Sequence, residues 1–265
     1  MKRFFAIPAL ILLLATAAVA ADFRPEPDPA VPAPVQSDYA VVVPSAGLPP
    51  EVKVQNANNN LDVAWHDGRV FLAFRTGPTH FASPLVTIFV VSSEDQKTWR
   101  FEAKFNRNTD LREPRFLSFK GNLFLYMAVL GENQFDFEPQ GMLYTQYKGP
   151  GQWTEPEWFL DKGFIPWRAK VIGGKPYMLA YRGGENIYDF QEGTAEELHF
   201  LTTEDGIHWT GVDPGKPVVH VGGCSETDFD FAPDGAIIAV CRNELGDKDG
   251  FGSKVCRAEP GAPAD

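Results

Sequence analysis

The sequence lacks the residue patterns of several common kinds of site. It has no Cys-x-x-Cys pair and its five histidines do not cluster, so it shows no zinc-site spacing. Basic residues are few, with 24 Lys and Arg against 35 Asp and Glu, and the formal net charge is −11. A chain this acidic is unsuited to neutralising phosphates, so we expect no nucleic-acid partner. No motif indicates a cofactor, and the sequence leaves any structural metal ion undetermined.

Long apolar runs are also scarce, and the one clear example is at the N-terminus. Lys2 and Arg3 precede an apolar run at residues 4–17, and residues 18–20 (Ala-Val-Ala) have the small-x-small pattern that signal peptidase requires. We interpret residues 1–20 as a signal peptide, which predicts a secreted or periplasmic protein; an uncleaved anchor is the alternative. No later stretch is apolar enough to cross a bilayer, so we expect no membrane span after cleavage.

Proline and cysteine mark out two further regions. Residues 21–56 carry eight prolines, which remove backbone donors and predict an extended linker. The three cysteines, Cys224, Cys241 and Cys256, all lie in the last fifth of the chain. An oxidising compartment favours pairing, and Cys224 and Cys241 fall in successive predicted strands where they could form a disulfide. Cys256 would then be free or paired outside this chain.

Three tryptophans recur at a nearly constant interval, which indicates an internal repeat. Trp99, Trp153 and Trp209 are 54 and 56 residues apart, an interval that suits one four-stranded unit. Residues 92–99 (SSEDQKTW) match residues 202–209 (TTEDGIHW), and each segment follows a strand-like run. The match is too long to be explained by the tryptophans alone.

Hairpin signals precede each tryptophan, and helical periodicity is almost absent. Asp67-Gly68 is the clearest turn, and similar turns recur near residues 121, 174 and 235. Each unit therefore predicts a four-stranded blade, and the fold class is an all-β, sialidase-type β-propeller; a β-sandwich is the alternative. We place the blades at about residues 57–108, 109–160, 161–217 and 218–265. The last blade is incomplete, which predicts a propeller truncated after about four blades; a ring smaller than the six-bladed kind is the alternative.

The turn at residues 203–209 resembles the Asp-box of the sialidase (neuraminidase) superfamily. In that turn the Asp and Ser/Thr side chains bond the local backbone, Gly adopts the left-handed conformation and Trp packs between neighbouring sheets. The first two blades carry degenerate versions, with Gln96 or Lys97 replacing the glycine in the first. The resemblance implies a fold, and the catalytic residues have to be sought elsewhere.

A second resemblance to sialidases begins at Glu226. A glutamate opens one strand, an Asp-Gly turn follows, and Arg242 closes the next strand. In that family the Glu polarises a nucleophilic Tyr and the Arg grips the substrate carboxylate, so the resemblance implies a catalytic Glu226 and a substrate-binding Arg242. The nucleophilic Tyr would lie in a later blade. The alternative is that Glu226 and Arg242 pair with each other across the hairpin.

The first blade offers an arginine and a histidine. Residues 71–75 (FLAFR) resemble the sialidase strand that ends in another substrate-binding arginine, which implies that role for Arg75. The family places its acid/base Asp a few residues later, but residues 76–84 contain no carboxylate. His80 is therefore the acid/base candidate, because imidazole titrates near neutral pH. A solvated loop histidine without a catalytic role is the alternative.

Two further arginines fall on the predicted innermost strands of their blades. Innermost strands line the channel of a propeller, so Arg115, Arg168 and Asp228 are predicted to contact an anionic or polyhydroxylated ligand. The alternative is that the arginines pair with Glu113, Asp228 or Asp230 and only neutralise the channel.

These features predict a secreted, sialidase-like glycoside hydrolase that acts on a glycan carrying a sialic-acid-like sugar. One alternative is a non-catalytic propeller that binds glycans or another protein. The other is a glycosidase with two catalytic carboxylates, for which the candidates are Asp62, Glu113 and Asp228. The aromatic candidates for sugar stacking are Trp65, Trp167 and Tyr181.

Overall fold

The computed structural model describes residues 36, 38–133, 135, 139–183, 195–248 and 250–263. The predicted signal peptide lies outside these ranges, so it and the localisation that it implies stay predictions. The described residues form seventeen β-strands in four sheets. They include no helix, and hence no helix that could cross a membrane.

The four sheets are the blades of a four-bladed β-propeller. Blade one contains β1 (Ala57–His66), β2 (Arg69–Gly77), β3 (Thr87–Ser93) and β4 (Arg100–Phe105). Blade two contains β5 (Leu111–Phe119), β6 (Asn122–Val129), β7 (Gly141–Gly149), β8 (Gln152–Trp153) and β9 (Glu157–Phe159). Blade three contains β10 (Phe164–Ile172), β11 (Lys175–Arg182), β12 (Glu196–Thr203), β13 (Trp209–Gly211) and β14 (Val218–Gly222). Blade four contains β15 (Cys224–Phe231), β16 (Ile237–Asp247) and β17 (Gly250–Ala258).

The strands within each blade are antiparallel and follow chain order outward from the innermost strand. The predicted two-residue turns join the first two strands of the first three blades, and Asp67-Gly68 has the positive φ angles of 47° and 74° that such turns require. Strands β1, β5, β10 and β15 are innermost, and each contacts the next in that order. Asp62 contacts Phe116 and Arg168, and Arg168 contacts Asp228. Each of these residues is the fifth or sixth of its strand, so all four strands begin at the same end of the propeller.

Apolar layers between neighbouring blades form the core. Phe71, Ile88 and Leu125 belong to the layer between blades one and two. Tyr126, Met178 and Trp209 belong to the layer between blades two and three, and Phe200 and Phe229 join blades three and four. Because each layer is shared by two neighbouring blades, each blade is positioned by the blade before it.

The structure corrects the predicted linker at its C-terminal end. Residues from Val41 onward belong to the same compact unit as the blades. Val42, Val52 and neighbouring apolar residues cover the outer face of blade one beside Trp99, whose backbone N–H donates to Gly47 O at 3.0 Å. The eight prolines indicate only that this segment does not pair as a strand. They do not show whether its side chains are buried, so its packing on blade one was not predicted.

The boundary between blades three and four also differs from the prediction at residue 217. Strand β14 (Val218–Gly222) pairs with β12, so it belongs to blade three, and blade four begins at Cys224. Strands β12 and β14 share a register shift that local sequence does not reveal. Among the described residues, blade four has three strands.

The two matching turns share one hydrogen-bond pattern. Asp95 Oδ1 accepts from the backbone N–H groups of Lys97 and Thr98, at 2.8 and 2.7 Å. Asp205 Oδ1 accepts in the same way from the two equivalent N–H groups, both at 2.8 Å. Gly206 has a φ of 80°, and Gln96 takes the same left-handed position with a φ of 59°. The repeat predicted from the sequence is therefore a repeat of turn geometry.

The predicted pairing of Cys224 with Cys241 is confirmed. Cys224 and Cys241 form a disulfide that joins β15 to β16, and Cys256 is free and exposed. The disulfide lies beside the start of β15, where Glu226 is located.

Candidate functional site

A cavity of about 280 Å³ opens at the end of the propeller where the innermost strands begin. Every blade contributes to its wall. Its lining residues are Asn60, His80, Phe81, Ala82, Arg112, Glu113, Tyr181, Glu226, Arg242 and Glu244. A pocket into which several titratable groups converge is a candidate active or binding site.

A β-bulge interrupts each innermost strand at this end of the propeller. Register shifts occur at Asn59/Leu61 in β1, Arg112/Arg115 in β5, Pro166/Arg168 in β10 and Cys224/Thr227 in β15. In the first two bulges Asn60 and Glu113 adopt left-handed φ angles of 44° and 51°. Bulges re-aim side chains, and backbone strain of this kind concentrates at functional sites. Here the bulges in β1, β5 and β15 bring Asn60, Glu113 and Glu226 to the same cavity.

Glu113 is the most strongly perturbed carboxyl group in the cavity wall. Its residue is 6% exposed, and it accepts hydrogen bonds from Asn60 Nδ2 and, at 3.0 Å, from Arg115 Nη2. Burial raises the pKa of Glu113 to about 7, against the opposing attraction of Arg115 and Arg112. A carboxyl group that titrates near neutral pH can both donate and accept a proton under ordinary conditions.

Glu226 lies across the cavity with Arg242. Arg242 Nη1 donates to Glu226 Oε1 at 3.0 Å, and its Nη2 lies 3.3 Å from Glu244 Oε1. Burial raises the pKa of Glu226, while the charge of Arg242 acts in the opposite direction. The cross-hairpin pairing that the sequence left open is thus present, and it does not remove either residue from the cavity.

Glu196 adds a buried acid behind this group. It is 1% exposed, and its Oε2 has no hydrogen-bond partner among the described residues. Burial, together with the nearby charge of Glu244, raises the pKa of Glu196 to about 8. We therefore expect Glu196 to be largely protonated at neutral pH, so that it does not compete with Glu226 for Arg242.

His80 lies in the loop between β2 and β3, residues 78–86, which we call the rim loop. Its Nδ1 is 3.0 Å from Asn59 Nδ2, and the Asn59 amide is oriented by Arg75 Nη1, which donates to Oδ1 at 3.2 Å. Nδ1 is therefore the acceptor and Nε2 carries the proton. Burial lowers the pKa of His80, and the charges of Arg112 and Arg75 lower it further, so the ring is neutral at pH 7.

Three of the four predicted substrate-binding arginines do not line the cavity. Arg75 is 0% exposed, and its Nε donates to Asp110 Oδ1 at 2.9 Å. Arg115 is 6% exposed, pairs with Glu113 and lies 4.7 Å over the Trp167 ring. Arg168 pairs with Asp228 at 3.0 Å. Each guanidinium has protein partners and lies outside the cavity wall, so these three arginines are not positioned to bind a ligand in this cavity.

The alternative prediction of a neutralised channel describes these arginines well. Arg168 bridges Asp62, at 3.6 Å, and Asp228, which also binds Lys170 Nζ at 2.7 Å. Burial raises the pKa of Asp228, but its bonds to Lys170 and to the Phe229 N–H outweigh burial and lower it. Asp62 instead joins two innermost strands, because its Oδ2 accepts from Phe116 N at 2.8 Å. Neither Asp62 nor Asp228 lines the cavity.

Sequence reasoning missed Asn60, Arg112, Phe81 and Glu244 as cavity residues. One signal was available for the blade-two part of the site, because Pro114 follows Glu113 within a strand-like segment. Proline inside a strand marks an edge or a bulge. The contact between Asn60 and Glu113, which are 53 residues apart, has no local signature.

Within the described residues, no group of three His, Cys, Asp or Glu side chains could hold a metal ion. The cavity alternates acidic and basic groups instead, with Glu226 and Glu244 on either side of Arg242. Such a surface is suited to a ligand with many hydroxyl groups, because each hydroxyl can both donate and accept.

No family model matches the sequence, and no curated protein is similar to it at a significant level. Several solved structures share the fold. A Dyadobacter fermentans protein of unknown function superposes with a TM-score of 0.59 at 16% identity, over 79% of this chain and 68% of that chain. Zg3597, a family 117 glycoside hydrolase from Zobellia galactanivorans, gives 0.51 at 15% identity, over 77% and 67%. Trypanosoma rangeli sialidase in complex with the inhibitor DANA gives 0.59 at 15% identity, over 80% of this chain.

These comparisons establish the fold. The chain spans about two thirds of the first two proteins, and 38% of the sialidase. At such identities only the architecture is shared, and it is a β-propeller that also occurs in glycoside hydrolases.

Proposed function

We propose that this protein is a glycoside hydrolase in which Glu113 and Glu226 are the two catalytic carboxyl groups. The observation that carries the proposal is the repeated bulge, which brings a buried, neutral-titrating acid from blade two and an arginine-paired carboxylate from blade four to one cavity. Two-carboxylate glycosidases need one group that is protonated and one that is ionised. Burial raises the pKa of both groups, and the pKa of about 7 assigns the proton donor to Glu113, while Glu226 pairs with Arg242 as the second carboxyl group.

In this reaction Glu113 protonates the oxygen of the leaving sugar. Glu226, which is paired with Arg242, accepts a proton from a water on the opposite side of the anomeric carbon; the water oxygen forms the new bond as the bond to the leaving sugar breaks. Asn60 positions the acid, because its Nδ2 donates to Glu113 Oε1. The alternating acidic and basic groups of the cavity wall suit a ligand with many hydroxyl groups. The substrate class is therefore a polyhydroxylated glycan.

The test is a screen of purified protein against 4-nitrophenyl glycosides and neutral oligosaccharides. We expect Glu113→Gln and Glu226→Gln to lower kcat by at least about 100-fold, the scale of general acid–base catalysis. Glu204→Gln is the matched control, because its side chain is 94% exposed in the turn after β12. Activity should fall as pH rises through about 7, because Glu113 then loses the proton that it donates. Sugar binding without turnover in the wild type would instead identify a non-catalytic glycan-binding propeller.

A sialidase reaction is the second candidate, and Tyr181 favours it. Tyr181 lines the same cavity as Glu226 and Arg242, so a phenol, a polarising carboxylate and an arginine occur together in blades three and four. The side chain of Arg242 is 52% exposed and could reach a substrate carboxylate. Release of 4-methylumbelliferone from its sialoside, lost in Tyr181→Phe and retained in Glu113→Gln, would select this reaction over the two-carboxylate one.

A further inference from the structure

We infer that Phe81 is a stacking platform for a second sugar unit, adjacent to the sugar held in the cavity. This inference rests on the proposed function and adds a subsite to it. Phe81 lines the cavity, yet 60% of its residue surface is exposed, which places its ring at the rim. The rest of the described wall is mostly charged or polar.

The rim loop that carries Phe81 is held in place by buried charges. Arg75 Nη1 and Nη2 donate to the carbonyls of Thr79 and Phe81, at 3.2 and 3.0 Å. Arg112 Nη2 donates to the carbonyl of His80, between them, at 3.0 Å. Both arginines are anchored on the two oxygens of Asp110, which is 0% exposed. Three successive carbonyls are thus fixed by one shared carboxylate.

The second half of the rim loop is also held through its backbone carbonyls, here by amide side chains. Asn106 Nδ2 donates to the carbonyls of Pro84 and Val86, at 3.2 and 2.6 Å, and Gln55 Nε2 donates to Leu85 O at 2.8 Å. A loop without strand pairing is thereby held rigid. Rigid presentation lowers the entropy lost when a ligand binds.

An exposed phenyl ring on a rigid loop beside hydrogen-bonding groups matches the two-sided chemistry of a pyranose. Its hydroxyl groups need partners such as Asn60, Glu113 and Arg242, and its C–H face packs on an aromatic ring. Because Phe81 is at the rim, the pyranose ring that packs on it belongs to the sugar unit next to the one held in the cavity. The substrate is therefore an oligosaccharide, and binding should strengthen from mono- to disaccharide.

The experiment measures calorimetric binding to Glu226→Gln protein, which retains ligand without cleaving it. The probes are three series, each of mono-, di- and trisaccharide: glucose to cellotriose, galactose to β-1,4-galactotriose, and mannose to mannotriose. For a series that binds, adding Phe81→Ala should raise the Kd of the di- and trisaccharide about tenfold, the upper range of an aromatic contact, and leave the monosaccharide within about twofold. Phe81→Tyr should restore binding, and Phe81→Leu should restore it only in part.

Leu85→Ala is the matched control. Leu85 belongs to the same rim loop and is 63% exposed, but it does not line the cavity. Equal affinity with and without the Phe81 ring, or an equal loss in Leu85→Ala, would overturn the subsite while leaving the proposed hydrolase intact. If the wild type turns over no glycoside and no series binds, the proposed function fails and the subsite fails with it.

Discussion

At the residue scale, the charged groups of this protein divide into two sets by burial and partner. Arg75, Arg115 and Arg168 are paired within the scaffold, whereas Arg242 is half exposed at the cavity. A guanidinium that already has several protein acceptors has little left to offer a substrate. Residue type alone therefore does not separate structural arginines from binding arginines.

The raised pKa of Glu113 predicts a pH dependence of the unfolding free energy, which can be tested without measuring activity. Its folded pKa of about 7 is above the ordinary value of 4.5, so the folded state holds this proton more tightly than the unfolded state. The protonated Glu113 therefore contributes to the free energy of unfolding. This contribution is fully present below about pH 4.5 and is lost as pH rises through about 7, with a total on the order of 3 kcal/mol. Urea unfolding at pH 5 and pH 8 should show a larger fall in stability for wild type than for Glu113→Gln. Equal falls would mean that Glu113 titrates normally.

At the element scale, the two matching turns differ at one position with opposite consequences. Gly206 has a φ of 80°, and a Cβ there would lie 2.4 Å from Phe124 Cε2. Gln96 holds the same conformation with a side chain, at a cost of roughly 1 kcal/mol for a left-handed residue that is not glycine. The first-blade turn tolerates this residue, whereas the third-blade turn has no room for one.

Reciprocal substitutions should therefore change stability in opposite directions. Gly206→Ala should lower the free energy of unfolding by about 2 kcal/mol or more, from overpacking and strain. Gln96→Gly should leave it unchanged or raise it by up to about 1 kcal/mol. Denaturant midpoints at constant m-value provide the measurement. A stable Gly206→Ala variant would contradict the close approach of this turn to blade two.

The hairpins of this protein could be predicted from the sequence, whereas its bulges could not. Turn chemistry and alternating apolar residues are local, so the hairpins, the blade-like units and the tryptophan turns could all be predicted. A bulge depends on the register between two strands, and only Pro114 and Pro166 hinted at one. The cavity could not be assembled from the sequence, because its residues converge through those shifts.

At the scale of the whole molecule, the disulfide joins the two strands of blade four that carry Glu226 and Arg242. Cys224 and Cys241 are 17 residues apart, and a closed loop of this size stabilises by about 3 kcal/mol. The Cys224→Ala/Cys241→Ala double variant should unfold at a lower temperature and bind ligand more weakly, because Glu226 is two residues from Cys224 and Arg242 directly follows Cys241. Calorimetry with and without ligand measures both effects.

Cys256→Ser is the control for that variant. Cys256 is free and exposed, so its replacement should leave the unfolding temperature within a few degrees of wild type. If the double variant were as stable as this control, the disulfide would not contribute to holding blade four.

The sequence by itself determined the all-β class, the repeated units and the candidacy of Glu226 and Arg242, and it offered Cys224 and Cys241 as a possible disulfide pair. These follow from local patterns: strand alternation, turn residues, repeat spacing and a short family resemblance. Three outcomes were decided only by the tertiary structure. They are the pairing of Arg75, Arg115 and Arg168 with carboxylates of the protein, the packing of residues 41–56, and the convergence of Asn60, Glu113 and Glu226 on one cavity. Those outcomes depend on how one blade packs on the next and on the register of the innermost strands, and neither is encoded within a single stretch of chain.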